Sequence, residues 1–266
     1  VTRLTTVADP AAATERAAQE IAQALRGALE HRGVAHLSLA GGNTPRRAYE
    51  LLAGLLGDWS AVELWYGDER CVGPDDPESN HRLVAESLLA HIDGSPPREH
   101  RIRGELGPDA AARAYAEELR AGVPPAAEPG TPAAAAHAAA ARGVATGQGP
   151  PVLDLALLGI GEDGHTASLF PGHPEVSDES GALCLPVRNA PKPPPERVTL
   201  SVPVLRAARH CLLLVTGSSK ADAVAAVLAG PDPRVPASLL ASGRLHVLVD
   251  DAAAPTPAER RSITER

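Results

Sequence analysis

Two hydrophobic periods alternate along this chain, and the places where one gives way to the other mark out its elements. From Ala11 to Glu30, apolar residues at Ala18, Ile21, Leu25, Ala28 and Leu29 recur at helical spacing with charges between them, and Gly33 ends the helix. His36 to Ala40 is short and alternating, as a strand is, and runs into Gly41-Gly42-Asn43-Thr44-Pro45. Thr44 as N-cap and Pro45 at the first helical position predict a helix that buries Ala48, Leu51, Leu52 and Leu55. Val62 to Tyr66 predicts a strand opening into Gly67-Asp68-Glu69-Arg70, after which Ser79 or Asn80 caps a helix with Leu83, Val84, Leu88 and Leu89 inward. Gly104 to Arg120 predicts a further helix.

In the second half, the apolar run from Val152 to Leu158 reads as a buried strand that empties into a glycine loop. Arg197 to Ser201 and Cys211 to Val215 predict strands; the latter ends in Gly217-Ser218-Ser219-Lys220 and a helix from Ala221 to Leu228. Leu245 to Val249 is the last strand, and the polar tail from about Asp250 is expected to fray. Strands alternating with amphipathic helices predict an α/β fold, a Rossmann-like three-layer α/β/α arrangement around a mostly parallel, doubly wound sheet. The Ala-, Pro- and Gly-rich stretch at about 121–150 reads as a low-complexity insertion within a single domain spanning 1–266, because neither flank has a complete layer of helices without the other.

Composition narrows the function. Aromatics are only 2% and Met is absent, so Leu, Val and Ala must fill the core. A net charge of −8 disfavours nucleic acid and anionic membranes as partners, and any phosphorylated ligand must meet a local cluster of Arg and Lys. The cysteines Cys71, Cys184 and Cys211 are scattered and lack a CxxC spacing, which argues against metal and disulfide roles and for a reducing cytoplasm. No apolar run approaches the roughly 18 residues that span a bilayer, and the first residues lack the apolar core of a secretion signal. A monomer is favoured.

Three loops carry candidate chemistry. Strand, glycine turn and helix start at Gly41–Thr44 make an anion site, since free N–H groups and the helix dipole converge there. Arg46 and Arg47 in the first helical turn oppose that dipole, which suggests that they meet a phosphate. Gly159-x-Gly161-x-x-Gly164 matches a dinucleotide fingerprint literally, but Glu162 and Asp163 would repel a pyrophosphate, and Pro171, Gly172 and Pro174 leave no room for a crossover helix. Those glycines instead let the backbone approach a small substrate. No GxSxG elbow exists, and His165 and His173 lack metal-site spacing. An isolated histidine is usually structural; His165, in a glycine loop after a strand and beside Asp163, stands where a general base would.

The segments GGNTP (Gly41 to Pro45), GDER (Gly67 to Arg70), PESN (Pro77 to Asn80), LGIGEDGHTASLFPG (Leu158 to Gly172), PPERVTLS (Pro194 to Ser201) and GSSKAD (Gly217 to Asp222) stand in the order found in 6-phosphogluconolactonases. The chain resembles that family over nearly its whole length outside 121–150 and the termini. The resemblance implies a Rossmann-like domain without metal or nucleotide cofactor that hydrolyses a phosphosugar lactone, 6-phosphogluconolactone, in the oxidative pentose phosphate pathway. The related glucosamine-6-phosphate deaminases continue the histidine motif as DGHIAFNEP, with a carboxylate where this chain has Phe170, and read DEY in place of Asp68-Glu69-Arg70. Within the lactonase reading His165 is the general base, and Asp163 orients the imidazole or stabilises its cation. Amides of Gly41, Gly42 and Asn43, or of Gly161, hold the oxyanion. Arg197, Lys220 and Arg70 take the phosphate with Thr44 as a lesser contributor, and Asp68 and Asn80 hold sugar hydroxyls or brace the loops. Related folds also serve as sugar-phosphate sensors joined to DNA-binding segments, and no helix-turn-helix pattern is apparent here.

Overall fold

The first long helix shows how closely the local signals are obeyed. In the computed structural model, which describes residues 2–125 and 149–256, α1 spans Pro10–Arg32. Asp9 accepts from the Ala12 N–H at 2.8 Å, Pro10 occupies the first turn, and Gly33 closes the helix in the left-handed region at φ 74°. Its buried stripe of Ala13, Ala17, Ile21, Leu25 and Ala28 packs across strands of the main sheet and against α2 (Asn43–Ala53).

That sheet has seven strands, all paired parallel. In chain order they are β1 (Arg3–Val7), β2 (Ala35–Leu39), β3 (Val62–Tyr66), β5 (Arg98–Glu99), β6 (Leu155–Leu158), β9 (His210–Val215) and β10 (Leu245–Asp250). Their spatial order is β1-β10-β9-β6-β2-β3-β5. The chain therefore builds outward from β2 in one direction and from β6 in the other, and the order reverses between these two central neighbours. In an open α/β sheet such a switch point leaves a crevice beyond the strands' carboxyl ends. A second, antiparallel sheet of β4 (Asp68–Arg70), β8 (Arg197–Leu200) and β7 (Cys184–Val187) stands beside it. The remaining helices are α3 (Asn80–Ser87), α4 (Pro108–Gly122), α5 (Val202–Ala207) and α6 (Ala221–Ala229).

The α/β architecture and its parallel sheet match the expectation, with several corrections. Arg197–Leu200 is a strand, but of the small antiparallel sheet, and β1 and β7 carry no pattern strong enough to announce them. α2 begins at Asn43 with Gly42 at the cap, so Thr44 is not the N-cap. α4 begins at Pro108, after a tight turn at Gly104–Leu106 and Gly107 at φ 78°. Of the run from Val152, only Leu155–Leu158 joins the ladder. Asp250 does not fray: it is buried at the end of β10, where its carboxylate accepts from the Gly217 and Ala253 N–H groups. Residues 126–148 of the expected insertion, and 257–266 of the tail, lie outside the described residues.

The core is mainly Leu, Val and Ala, as composition requires, yet all six aromatic side chains are fully buried as well. Burial forces each tyrosine hydroxyl to find a partner. Tyr49 on α2 donates to the Ala40 carbonyl and accepts from the Ala40 N–H, both at 2.8 Å, and so pins the chain as it leaves β2.

Candidate active site

The crevice between β2 and β6 opens into a cavity of about 350 Å³ lined from five directions. Gly41 to Pro45 enter from the β2–α2 turn, Gly159 to Gly161 and His165 from the loop after β6. Asp68 and Arg70 come from β4, Lys192 and Arg197 from the approach to β8, and Thr216 and Lys220 from the turn after β9. Four cationic side chains line the cavity against one carboxylate, Asp68, in a chain of net charge −8.

The loop after β6 is built around its histidine. The Gly161 N–H donates to the His165 carbonyl at 2.8 Å, the Gly164 N–H to the Gly161 carbonyl at 3.0 Å, and the Thr166 hydroxyl to the Gly159 carbonyl at 2.9 Å. Asp163 lies 2.5 Å from His165 Nδ1 and also accepts the His165 N–H at 3.3 Å. An ionised carboxylate only accepts, so Nδ1 carries the proton and Nε2 is the basic nitrogen. Burial pushes the His165 imidazolium pKa below its usual value, outweighing the pull of Asp163, so the ring is neutral near pH 7. Burial alone would raise Asp163, but its hydrogen bonds and charge interaction with His165 hold it below the usual carboxylate range. Gly161 is required sterically: a Cβ there would lie 2.0 Å from His165 Nδ1 and 2.4 Å from Asp163 Oδ1. No crossover helix follows the glycines; the next elements are a short turn at Pro174–Ser177 and β7, as Pro171 and Pro174 lead one to expect.

The Phe170 ring packs beside the imidazole with centroids 4.7 Å apart, and on its other contact lies 5.4 Å from the Arg197 guanidinium carbon. Arg197 is buried and latches the proline loop, donating from Nε to the Pro194 carbonyl and from Nη2 to those of Lys192 and Pro193. Its Nη1 has no hydrogen bond among the described residues. Lys192 rides on that loop into the cavity; sequence reading passed over it, because a lysine in a proline-rich stretch looks like a solvated linker charge.

The other expected residues are distributed unequally. Asp68 lines the cavity, but its carboxylate accepts from Ser168 Oγ at 2.6 Å and Asn80 Nδ2 at 3.2 Å, so it braces the loops. Asn80 also fits tightly under Gly41, where a Cβ would fall 2.0 Å from its Oδ1. Arg70 reaches the cavity while Nη1 donates to the Glu78 carbonyl. Glu69, next to it, is buried beneath α3 and accepts from the Asn80 and His81 N–H groups at 2.8 Å, a carboxylate at a helix start. Thr44 Oγ1 stands 3.4 Å from Thr216 Oγ1, and Lys220 Nζ stands 3.7 Å from Glu162. Arg46 and Arg47 stay outside the cavity: they pair with Glu86 at 3.3 Å and Glu50 at 2.8 Å, which offsets the dipole conflict on the surface. The Gly161 amide, occupied by the His165 carbonyl, is not open to an oxyanion. The Gly41 and Gly42 amides and that of Asn43, first residue of α2, have no hydrogen bond among the described residues. No group of three or more His, Cys, Asp or Glu able to hold a metal ion is found among the described residues.

Known proteins resemble this chain in both sequence and fold. A 6-phosphogluconolactonase of Streptomyces coelicolor is 38% identical over 255 residues, covering 90% of this chain and 88% of that protein. The structure of a 6-phosphogluconolactonase from Trypanosoma brucei superposes with a TM-score of 0.77 at 25% identity, over 95% of this chain and 97% of the other. A monomeric glucosamine-6-phosphate deaminase shares the fold at a TM-score of 0.71 and 23% identity, over 95% and 98% of the two chains. The sequence profile of glucosamine-6-phosphate isomerases/6-phosphogluconolactonase matches residues 8–249, and the chain belongs to that family.

Proposed function

We propose that this protein hydrolyses 6-phospho-D-glucono-1,5-lactone to 6-phospho-D-gluconate in the oxidative pentose phosphate pathway, as its curated relatives are named for doing. The observation that carries the reading is the neutral His165, oriented by Asp163, on the rim of a cavity whose charge is locally positive. His165 Nε2 takes a proton from water as the oxygen attacks the lactone carbonyl. The resulting imidazolium, steadied by Asp163, returns the proton to the ring oxygen as the ester bond breaks. The carbonyl oxygen gains negative charge in between, and the Gly41, Gly42 and Asn43 amides at the start of α2 are placed to stabilise it. The phosphate takes Lys192 and Lys220 together with Arg70 and the remaining Nη1 of Arg197. Phe170 favours lactone hydrolysis over aminosugar deamination, because an apolar ring against the imidazole replaces the carboxylate that the deaminase motif places there.

Three free thiols, two of them buried, support a reducing, cytoplasmic site of action. The test is turnover of freshly generated lactone with spontaneous hydrolysis subtracted, run beside ammonia release from glucosamine 6-phosphate. His165→Ala should lose about 10²- to 10⁴-fold in kcat. Near-wild-type turnover would remove His165 from the mechanism, and ammonia release would replace the lactonase reading with the deaminase one.

A further inference from the structure

A second concave site lies at the opposite end of the main sheet, where β1, β6, β9 and β10 begin and α1 passes alongside. Its volume is about 450 Å³, within the range of small-molecule sites. Five guanidinium groups line it, those of Arg3, Arg16, Arg32, Arg209 and Arg244, against two carboxylates, Glu20 and Asp154. Three positive charges are thus in excess before the histidines of the same cleft are considered, on a protein whose net charge is −8.

Both carboxylates are already saturated. Asp154 is buried between Arg32 at 2.5 Å and Arg209 at 3.3 Å and also accepts the His36 N–H at 2.8 Å. Glu20 meets Arg16 at 2.6 Å, His246 at 2.7 Å and Arg3 at 3.9 Å; burial would raise its pKa, but His246 and Arg16 overcome that and hold it at about 2. Arg244 has no carboxylate within ion-pair distance among the described residues; its Nη1 donates to the Ala207 carbonyl at 3.1 Å, and the side chain is exposed. Packing like charges around satisfied acids is unfavourable unless an anion joins them.

The floor supplies an independent sign. Gly27 sits in the middle of α1, where glycine is less stable than alanine. A Cβ there would meet nothing within 4 Å, so neither packing nor backbone conformation requires the glycine, and its effect is to leave the cleft open.

We infer that this cleft binds a phosphorylated polyanion of the di- or triphosphate class, held by the guanidinium forks of Arg209 and Arg244 over the open floor at Gly27. Planar guanidinium donors match phosphate oxygens two at a time, and a di- or triphosphate carries the charge that the cleft lacks. Free inorganic polyphosphate and a nucleoside triphosphate share this chemistry; the latter would also cover the apolar floor of Ala24, Ala28 and Leu155.

Calorimetric titration of the full chain with inorganic tripolyphosphate and, separately, with ATP tests the inference. Saturable one-to-one binding is expected, weakening as salt is raised. Binding should fall at least about tenfold in R209A/R244A, which removes both charge-assisted guanidinium forks. Gly27→Glu, which removes no arginine and improves the helix, should weaken it likewise by placing a carboxylate in the cleft. Tighter binding of ATP assigns the nucleotide as the source, and equal or tighter binding of tripolyphosphate assigns the inorganic chain. Absence of binding, or affinity unchanged in both variants because the anion sits in the cavity at the other end of the sheet, would overturn the inference.

Discussion

Gly161→Ala offers the sharpest perturbation of the catalytic pair, because it adds one methyl group and removes no functional atom. The added Cβ would fall 2.0 Å from His165 Nδ1 and 2.2 Å from Cε1, whereas ordinary contact begins near 3.4 Å. The imidazole must therefore retreat by about 1.4 Å, and Asp163, 2.4 Å from the same point, must retreat as well. Their 2.5 Å contact cannot survive both displacements unchanged. A misplacement of about 1 Å in a catalytic group costs on the order of 10²-fold in rate, or about 2.7 kcal/mol of barrier. The backbone tolerates the change, since Gly161 is not among the glycines at positive φ, so the fold should persist. The assay is steady-state lactone hydrolysis, followed by acid release or by coupling to oxidation of the product, with the spontaneous rate subtracted. We expect kcat to fall about 100-fold with KM nearly unchanged, because the phosphate-facing cations are untouched. Turnover within threefold of wild type, in a variant with wild-type far-UV circular dichroism, would refute the argument that this glycine exists to seat the imidazole.

Further outcomes follow from the same geometry. The acid limb of kcat/KM should report His165 losing its proton, with a midpoint below the ordinary histidine value of about 6.5 because burial disfavours the cation. Activity is therefore full above that midpoint and lost as pH falls through it; in Asp163→Asn, which removes the stabilising carboxylate, the limb should move lower still while kcat drops. An acid limb above the ordinary value would contradict the assignment. Lys192→Ala should raise KM for the phosphorylated lactone with little change in kcat, and an unchanged KM would place the phosphate elsewhere. Tyr49→Phe should destabilise the fold by about 1–3 kcal/mol in denaturant titration, because it leaves the buried N–H and carbonyl of Ala40 without their partner.

The long helix α1, the strands β3, β9 and β10 and the glycine loops after β2, β6 and β9 were legible because each is a local statement: a hydrophobic period, a cap, a turn residue. His165 and Asp163 were legible for the same reason, being two residues apart in one loop. β1 and β7 were not, because their strand character comes from pairing with β10 and β8 rather than from their own patterns. Arg46 and Arg47 were misread: helix position correctly identified a dipole conflict, but surface acids from α2 and α3 resolve it, and no anion is needed.

By itself, then, the sequence determined an α/β chain whose strands end in glycine loops, with one histidine in the most distinctive of them. Tertiary structure alone decided which loops face each other across the switch point. It also decided that the Gly161 amide is consumed within its own loop, and that Arg197 holds the loop that presents Lys192. It further placed Asp250, 33 residues from Gly217, under the turn beside the cavity. The physical reason is that hydrophobic period and turn chemistry act over a few neighbouring residues. Hydrogen-bond ownership and charge balance depend on every element that packs against a group, and those elements come together only once the sheet has set their order.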